Sequence, residues 1–338
     1  MDKKNGWSKI TTIDMHTGGE PLRIFTGGIP EIKGETILEK RRYFRDHLDH
    51  IRTGTMWEPR GHADMYGAVI TKPVNEGSDF GTFFLHNEGY STMCGHAIIA
   101  LTKYVLEMGL VRKDEDEAVL KIDAPPGLII AKAFREGNKV VKTSFLNVPS
   151  FHLIKDKTVT VEGLGEVRFD VAYGGAFYAF CDADVLGLQL DESHYDKLID
   201  AGRKIKHAVM DKYTITHPYE EDLSFLYGTI FTGQAHDPAN HSRNVCIFAD
   251  GEVDRSATGS GVSARAALHH AKGELEEGKK IRIESIIGTT MEAEVKETLN
   301  YGPHKAVIPE VSGTAFFTGR NEFWFDPDDP LKNGFIFR

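Results

Sequence analysis

Cysteine, glycine and histidine stand in a row at Cys94-Gly95-His96, and that order has a chemical use. Apolar residues at Ile98, Leu101, Val105 and Met108 predict a helix over 95–108, with the cysteine at its N-terminal end. A thiol there meets unpaired backbone N–H groups and the positive end of the helix dipole, which favour the thiolate and lower the thiol pKa. Such a thiolate is a base or a nucleophile, and a neighbouring histidine can exchange a proton with it. Cys181 and Cys246 lie in strand-like apolar runs and read as small buried fillers. A second glycine-led start follows at Asp254-Arg255-Ser256-Ala257-Thr258-Gly259-Ser260-Gly261. It opens a predicted helix over 260–272 with a small-residue face of Ala264, Ala267, Leu268 and Ala271. Helix N-termini bind anions, and glycines at 95, 259 and 261 let a ligand approach the backbone. Two such starts facing one cleft suit a small carboxylate.

The elements that must position these starts are repeated along the chain. Thr258 lies 164 positions after Cys94, and Gly273, which closes its helix, lies 164 after Gly109. The strand-like Ile281-Arg282-Ile283-Glu284 running to Gly288 follows Leu120-Lys121-Ile122-Asp123 running to Gly127 by 161. Asp170 before Gly174-Gly175 follows Asp14 before Gly18-Gly19 by 156. Three segments in one order with slowly drifting offsets predict two copies of one unit. There are 34 glycines, and their pairs punctuate runs rich in Val, Ile, Phe and Tyr, a texture of many strands with tight turns. A further helix is predicted over 35–51, with Ile37, Phe44, Leu48 and Ile51 on one face. The expected fold class is α/β (α+β), two pseudo-symmetric domains with the site in the cleft between them. A boundary near Asn147-Val148-Pro149-Ser150 gives a first domain of 1–150 and a second of 151–311. The segment 312–338 has no counterpart in the first copy and is expected to pack back on the first half.

Composition narrows the function classes. The 338 residues include 40 Lys and Arg against 50 Asp and Glu, a formal charge of −10, which disfavours nucleic acid or an anionic membrane as partner. A hydrophobic fraction of 41% is enough for packed cores. No apolar run approaches the roughly 18 residues of a membrane span. The start Met1-Asp2-Lys3-Lys4-Asn5-Gly6 lacks the apolar region of a secretory signal. Three cysteines are too few for a disulfide framework or a Cys-rich zinc site, so a cytoplasmic protein with reduced thiols is expected. Gly259-Ser260-Gly261-Val262-Ser263-Ala264 fits the dinucleotide fingerprint, with Glu284 near the place of a ribose-binding acid. The fingerprint glycine should follow its strand directly, whereas here about ten residues intervene after the run Val245 to Phe248. His47 and His50 read as a solvated helix face, since two histidines three apart do not make a metal site.

The two starts together resemble the catalytic motifs of the proline racemase family. The resemblance extends over nearly the whole chain, through Met15-His16-Thr17-Gly18-Gly19-Glu20-Pro21, Pro59-Arg60-Gly61-His62-Ala63-Asp64-Met65, Glu284-Ser285-Ile286-Ile287-Gly288-Thr289 and Asp329-Pro330-Leu331. It implies the diaminopimelate-epimerase-like fold, with the active site between two similar domains. One departure stands out. Racemases and 4-hydroxyproline epimerases of the family read D-R-S-P-C-G-T-G in the second motif, and this chain has Thr258 in place of that cysteine. Threonine there is what trans-3-hydroxy-L-proline dehydratases show. The chemistry agrees, because cofactor-free inversion needs a base on each face of the α-carbon and a hydroxyl is too weakly acidic and basic to be one.

The resemblance thus implies a lyase giving Δ1-pyrroline-2-carboxylate, with Cys94 as proton acceptor and Thr258 replacing the second catalytic cysteine. The amides of Gly95, His96, Gly259 and Ser260 would hold the substrate carboxylate, and Asp254, with His96 beside it, the ring ammonium. In the trans isomer the 3-hydroxyl shares a ring face with the α-hydrogen, so base and leaving group lie on the Cys94 side. Protonated Cys94 or His96 could hand a proton to the departing hydroxide, and the sequence does not choose between them. No metal or organic cofactor is implied. The expected partner is a small imino acid, and the sequence permits a homodimer. The alternatives are a proline racemase or 4-hydroxyproline 2-epimerase and, further off, a non-catalytic amino-acid binding protein.

Overall fold

The structure is a computed structural model describing residues 6–337; residues 1–5, part of the stretch read above for a signal, lie outside it. The first half runs β1 (Ser8–Thr17), β2 (Glu20–Gly27), α1 (Ile37–Met56), β3 (Gly67–Thr71), β4 (Phe80–Leu85), β5 (Tyr90–Ser91), α2 (Gly95–Glu107), β6 (Glu117–Ala124), β7 (Gly127–Glu136) and β8 (Lys139–Leu146). The second runs β9 (Ser150–Val161), β10 (Gly165–Tyr173), β11 (Phe177–Asp182), α3 (Tyr195–Lys212), β12 (Leu226–Gly233), β13 (Ser242–Phe248), β14 (Glu252–Val253), α4 (Gly259–Ala271), β15 (Lys280–Glu284), β16 (Thr290–Tyr301) and β17 (His304–Gly313). A last strand, β18 (Ala315–Phe325), completes the order.

The pairings of the halves match sign for sign. β1–β2 is antiparallel, β2–β3 parallel, β3–β4 antiparallel and β4–β6 parallel, followed by the antiparallel ladders β6–β7 and β7–β8. β10 to β17 repeat that series in order. β18 lies antiparallel along β1 as β9 lies along β10. The C-terminal strand thus lies on the first half and takes there the place that β9 takes in the second, an equivalence in space that chain order does not disclose. A β9–β17 ladder closes the second ring of strands, and a β8–β17 ladder joins the two sheets.

Helices α2 and α4 run inside the strand rings. Every residue of α2 from Gly95 to Leu106 is buried, and of α4 from Gly259 to Leu268. A helix apolar or small all round has no solvent face to offer and belongs in a core. Both end in the same cap. Gly109 at φ +71 and Gly273 at φ +76 follow their last turns, with Gly109 N bonded to Leu106 O and Leu110 N to Val105 O, as Gly273 N is to His270 O and Glu274 N to His269 O. These paired bonds satisfy the last free carbonyls, and glycine takes the left-handed backbone without a Cβ penalty. The caps turn the chain outward, so Met108 (50% exposed) and Ala271, both expected on buried faces, face solvent.

Helices α1 and α3 cover the outside. Thr36 and Glu39 form a capping box at the start of α1, and Ile37, Phe44, Leu48 and Ile51 are buried as their spacing predicts. The helix continues to Met56, beyond the expected end, because Arg52, Thr55 and Met56 remain buried on the same side. The sequence reading did not mark α3. Gly202 interrupts its buried stripe of Leu198, Ala201, Ile205 and Val209 and reads as a breaker. In the fold a Cβ there would lie 2.6 Å from Cβ of Ile247, so the glycine permits helix and sheet to touch.

The same device governs the centre of the molecule. The N-terminal ends of α2 and α4 abut, and a Cβ on Gly95 would lie 2.6 Å from the Gly259 Cα, while one on Gly259 would lie 2.7 Å from the Gly95 Cα. Backbone faces backbone there, so no side chain can rotate away. Gly259→Ala is expected to cost about 1–3 kcal/mol in urea unfolding, the usual penalty of overpacking. Wild-type stability in that variant would show that the helix ends part freely.

Candidate active site

The abutting helix starts bring the two sequence motifs into one cavity. It is lined by Cys94, Gly95 and His96 from the first half and by Asp254, Thr258, Gly259 and Ser260 from the second, with Tyr66, Met93, Tyr178, Tyr227 and Phe248 completing the wall. The free volume is about 10 Å³, room for about one water and less than a five-membered ring occupies. The first-turn amides of both helices have no carbonyl one turn before them to accept their hydrogens. Among the described residues no group of three His, Cys, Asp or Glu is arranged to hold a metal ion.

The equivalent N-caps differ. Cys94 is extended at φ −142 and its sulfur accepts the Ala97 N–H at 3.4 Å. Thr258 sits at φ +67, makes no cap bond and forms no well-aligned hydrogen bond with its hydroxyl, which neighbours the Cys246 thiol. Positive φ in a β-branched residue is strained by about 1–3 kcal/mol and persists only where the surroundings impose it. Here Asp254 Oδ1 accepts the Ser256 N–H at 2.7 Å, Ser256 Oγ accepts the Thr258 N–H at 3.1 Å, and the Asn244 amide donates to the Ala257 carbonyl at 3.0 Å. The loop is thus fixed on both sides of Thr258. Cys246, a core filler on its sequence, is fully buried as expected yet stands beside this cap.

The electrostatics depart from the expectation for the thiol. Burial pushes the Cys94 thiol well above its ordinary value; the Ala97 amide and Tyr66 favour the anion, while Asp254 and Glu20 oppose it. The helix dipole is real, but in a water-free pocket the desolvation of the charge outweighs it. His96 has its Nδ1 3.1 Å from the Cys94 sulfur, and burial holds the imidazole toward its neutral form. Its carbonyl accepts the Thr17 hydroxyl at 2.9 Å, which ties the helix start to the end of β1.

Glu20 was quoted in a sequence motif but given no role. It is fully buried, with one carboxyl oxygen accepting the Arg255 N–H at 2.7 Å across the cleft and the other without a partner. Burial and the adjacent Asp254 raise its pKa well above the usual carboxylate value. Arg255 does not neutralise it by contact, since its guanidinium is bonded to Asp64 at 2.8 Å and to the Val253 carbonyl. The three tyrosines also escaped the sequence reading. They come from separate segments, Tyr66 just before β3, Tyr178 in β11 and Tyr227 in β12, and no spacing links them; Tyr66 alone had a signal, as it follows the quoted Pro59 to Met65 motif directly.

Glu284 is accounted for without a nucleotide. Its carboxylate binds Arg243 at 2.8 Å, the Asn240 amide and the backbone N–H groups of His236 and Asp237. Asp123, 161 positions earlier, binds Val74 N, Asn75 and Ser78 in the same manner. Both carboxylates tie down the loop leading to the neighbouring strand. His47 and His50 lie exposed on α1.

Comparison with known proteins agrees with this geometry. A family model described as proline racemase matches residues 12–336. A trans-3-hydroxy-L-proline dehydratase of Colwellia psychrerythraea is 50% identical over 99% of this chain and 95% of its own length, and one of Homo sapiens is 46% identical over 98% and 96%. Among solved structures, a hydroxyproline epimerase from Agrobacterium vitis with bound trans-4-hydroxy-L-proline superposes with a TM-score of 0.92 at 28% identity, covering 100% of this chain and 97% of that one.

The state of Glu20 predicts a pH effect on stability. Folding raises the pKa of this carboxyl, so its contribution is full below the ordinary value near 4.5 and is lost as pH rises toward the folded value. Glu20→Gln keeps an acceptor for Arg255 N and has nothing to ionise. Its melting temperature relative to wild type is expected to rise steadily from pH 5 to pH 8; a constant difference would mean that Glu20 is ionised in the fold.

Proposed function

The chain belongs to the proline racemase family, and from that premise we infer that it is a lyase dehydrating trans-3-hydroxy-L-proline to Δ1-pyrroline-2-carboxylate. The observation that carries this reading is the inequality of the two helix starts. Cys94 at α2 offers a thiol, whereas Thr258 at the equivalent start of α4 offers a hydroxyl. Inversion needs an acid and a base on opposite faces of the α-carbon; elimination needs one base and a leaving group on the next carbon. Similarity along the whole chain to trans-3-hydroxy-L-proline dehydratases, 50% and 46% identical, supports the same choice, and the fit to an epimerase with bound trans-4-hydroxy-L-proline supports a hydroxyproline as the substrate class. The acidic composition and three free thiols support a cytoplasmic setting, and no helix among the described residues is long and apolar enough to cross a membrane.

In this reading the substrate carboxylate lies against the first-turn amides of Gly95, His96, Gly259 and Ser260. As the α-proton leaves, negative charge grows on that carboxylate as an enediolate, and preorganised amides in a dry site stabilise it strongly. Asp254 pairs with the ring ammonium. That pairing also relieves Cys94, because Asp254 is the carboxylate that most opposes the thiolate. His96, against the sulfur, orients it. Cys94 thiolate takes the α-proton, the C3–O bond breaks, and the resulting cyclic enamine tautomerises to the imine product. Thr258 bounds the opposite face and supplies no second base.

Cys94→Ser is expected to fold and to lose dehydration by at least about 10²-fold, the lower range for removing a positioned base; substantial residual activity would remove Cys94 from the mechanism. Because burial raises its thiol pKa, kcat/KM should still be climbing between pH 7 and 9, and a plateau reached below pH 7 would contradict a buried thiol base. Iodoacetamide should alkylate Cys94 before Cys181 or Cys246, and substrate should slow the reaction.

Thr258→Cys is expected to supply the missing base at the matching cap. NMR in D2O should then show inversion of proline or trans-4-hydroxy-L-proline with deuterium entering at Cα, while the wild type shows none. Ready inversion by the wild type, or its failure to dehydrate trans-3-hydroxy-L-proline, would overturn the lyase assignment.

A further inference from the structure

Hydroxide is a poor leaving group, and the departing 3-hydroxyl needs a proton as its C–O bond breaks. The donor must lie on the Cys94 side of the ring, since the trans hydroxyl shares that face with the α-hydrogen. His96 is poorly suited. Burial holds it toward its neutral form, and its Nδ1 is already against the sulfur at 3.1 Å. Tyr178 is engaged with Ser260 Oγ at 2.7 Å, at the start of α4 on the Thr258 side.

Tyr66 is differently placed. It lines the same cavity as Cys94, is buried to 2% exposure, and meets the His96 ring edge to face with centroids 4.8 Å apart. Its hydroxyl adjoins the Cys94 sulfur and makes a close hydrogen bond with Ser91 Oγ in which either oxygen can donate. The Arg23 N–H bonded to the Tyr66 carbonyl at 2.8 Å fixes its backbone at the entry to β3. We propose that Tyr66 is the acid that protonates the leaving 3-hydroxyl, with Ser91 turning its own O–H toward the phenolate that remains. This rests on the dehydratase reading above and adds to it the group that makes the elimination possible.

The proton and electron count closes. Cys94 thiolate takes the α-proton, and the Cα–H electrons form the Cα–C3 double bond. The C3–O bond breaks with its electron pair on oxygen, which takes the Tyr66 proton and departs as water. One negative charge has passed from sulfur to phenol oxygen on the same face, so charge is conserved within the pocket. The Cys94 thiol then returns its proton to the Tyr66 phenolate, restoring both groups in one transfer. Burial and the neighbouring Cys94 hold the free phenol well above its ordinary value of 10, so it keeps its proton around neutral pH and loses it only on the alkaline side.

The test compares two leaving groups in wild type and Tyr66→Phe, with circular dichroism to establish the fold. Chloride leaves without a proton, so trans-3-chloro-L-proline needs Cys94 but no acid. Tyr66→Phe is expected to lose at least about 10²-fold in kcat on trans-3-hydroxy-L-proline, the range for a positioned acid, and to eliminate chloride within threefold of wild type. Equal loss on both substrates would make Tyr66 a support for Cys94 and overturn the proposal, as would undiminished loss of water. Replacement of Tyr66 by 3-fluorotyrosine, which keeps the side-chain shape, should lower the pH at which turnover declines on the alkaline side; an unmoved limb also counts against it. A wild type that releases chloride but never water would instead overturn the dehydratase reading.

Discussion

No side chain fits between Gly95 and Gly259. The backbone of one helix start lies directly on that of the other, and the rest of the molecule is arranged to permit that approach. Each helix is buried against the strands of its half, and the β8–β17 ladder makes the two sheets continuous. The N-terminal ends of both helices meet at one cavity, so their two partial positive ends reinforce each other there. An anion site built from backbone alone needs no cationic side chain, and the cavity wall contains neither lysine nor arginine.

Such a site excludes water, with consequences for the thiol, the phenols and the imidazole in it and for the carboxyl of Glu20 beside it. Burial raises the thiol of Cys94, the carboxyl of Glu20 and the phenols of Tyr66, Tyr178 and Tyr227, and holds His96 toward neutrality. In the closed, dry pocket burial favours the neutral forms of these groups. A pocket of phenols and one thiol can also pass a proton between sulfur and oxygen at little cost in net charge.

Duplication explains why this arrangement is so regular and where it is broken. The two halves repeat strand pairings, cap geometry and even the loop-clamping carboxylates Asp123 and Glu284. At the helix starts the copies diverge, with an extended cysteine in one and a strained threonine in the other. The network of Asp254, Ser256 and Asn244 that holds Thr258 has an orienting role, since local strain survives only where several bonds impose it.

Much of this was readable in the chain itself. Local signals are additive along the sequence, so the offsets between Cys94 and Thr258 and between Gly109 and Gly273 disclosed the repeat, and the apolar spacing of 95–108 located α2. The two motifs were legible because each is contiguous, and the threonine at 258 identified a cavity with one thiol in its wall. Other features depend on distance in space. β18 joined β1 as β9 joins β10, α3 was hidden by a glycine that serves a packing contact, and the tyrosines of the cavity come from segments with no common spacing. The sign of the shift at Cys94 was also beyond the sequence. A helix start by itself favours the thiolate, and only the tertiary structure, by removing water and setting Asp254 and Glu20 nearby, decides that desolvation prevails.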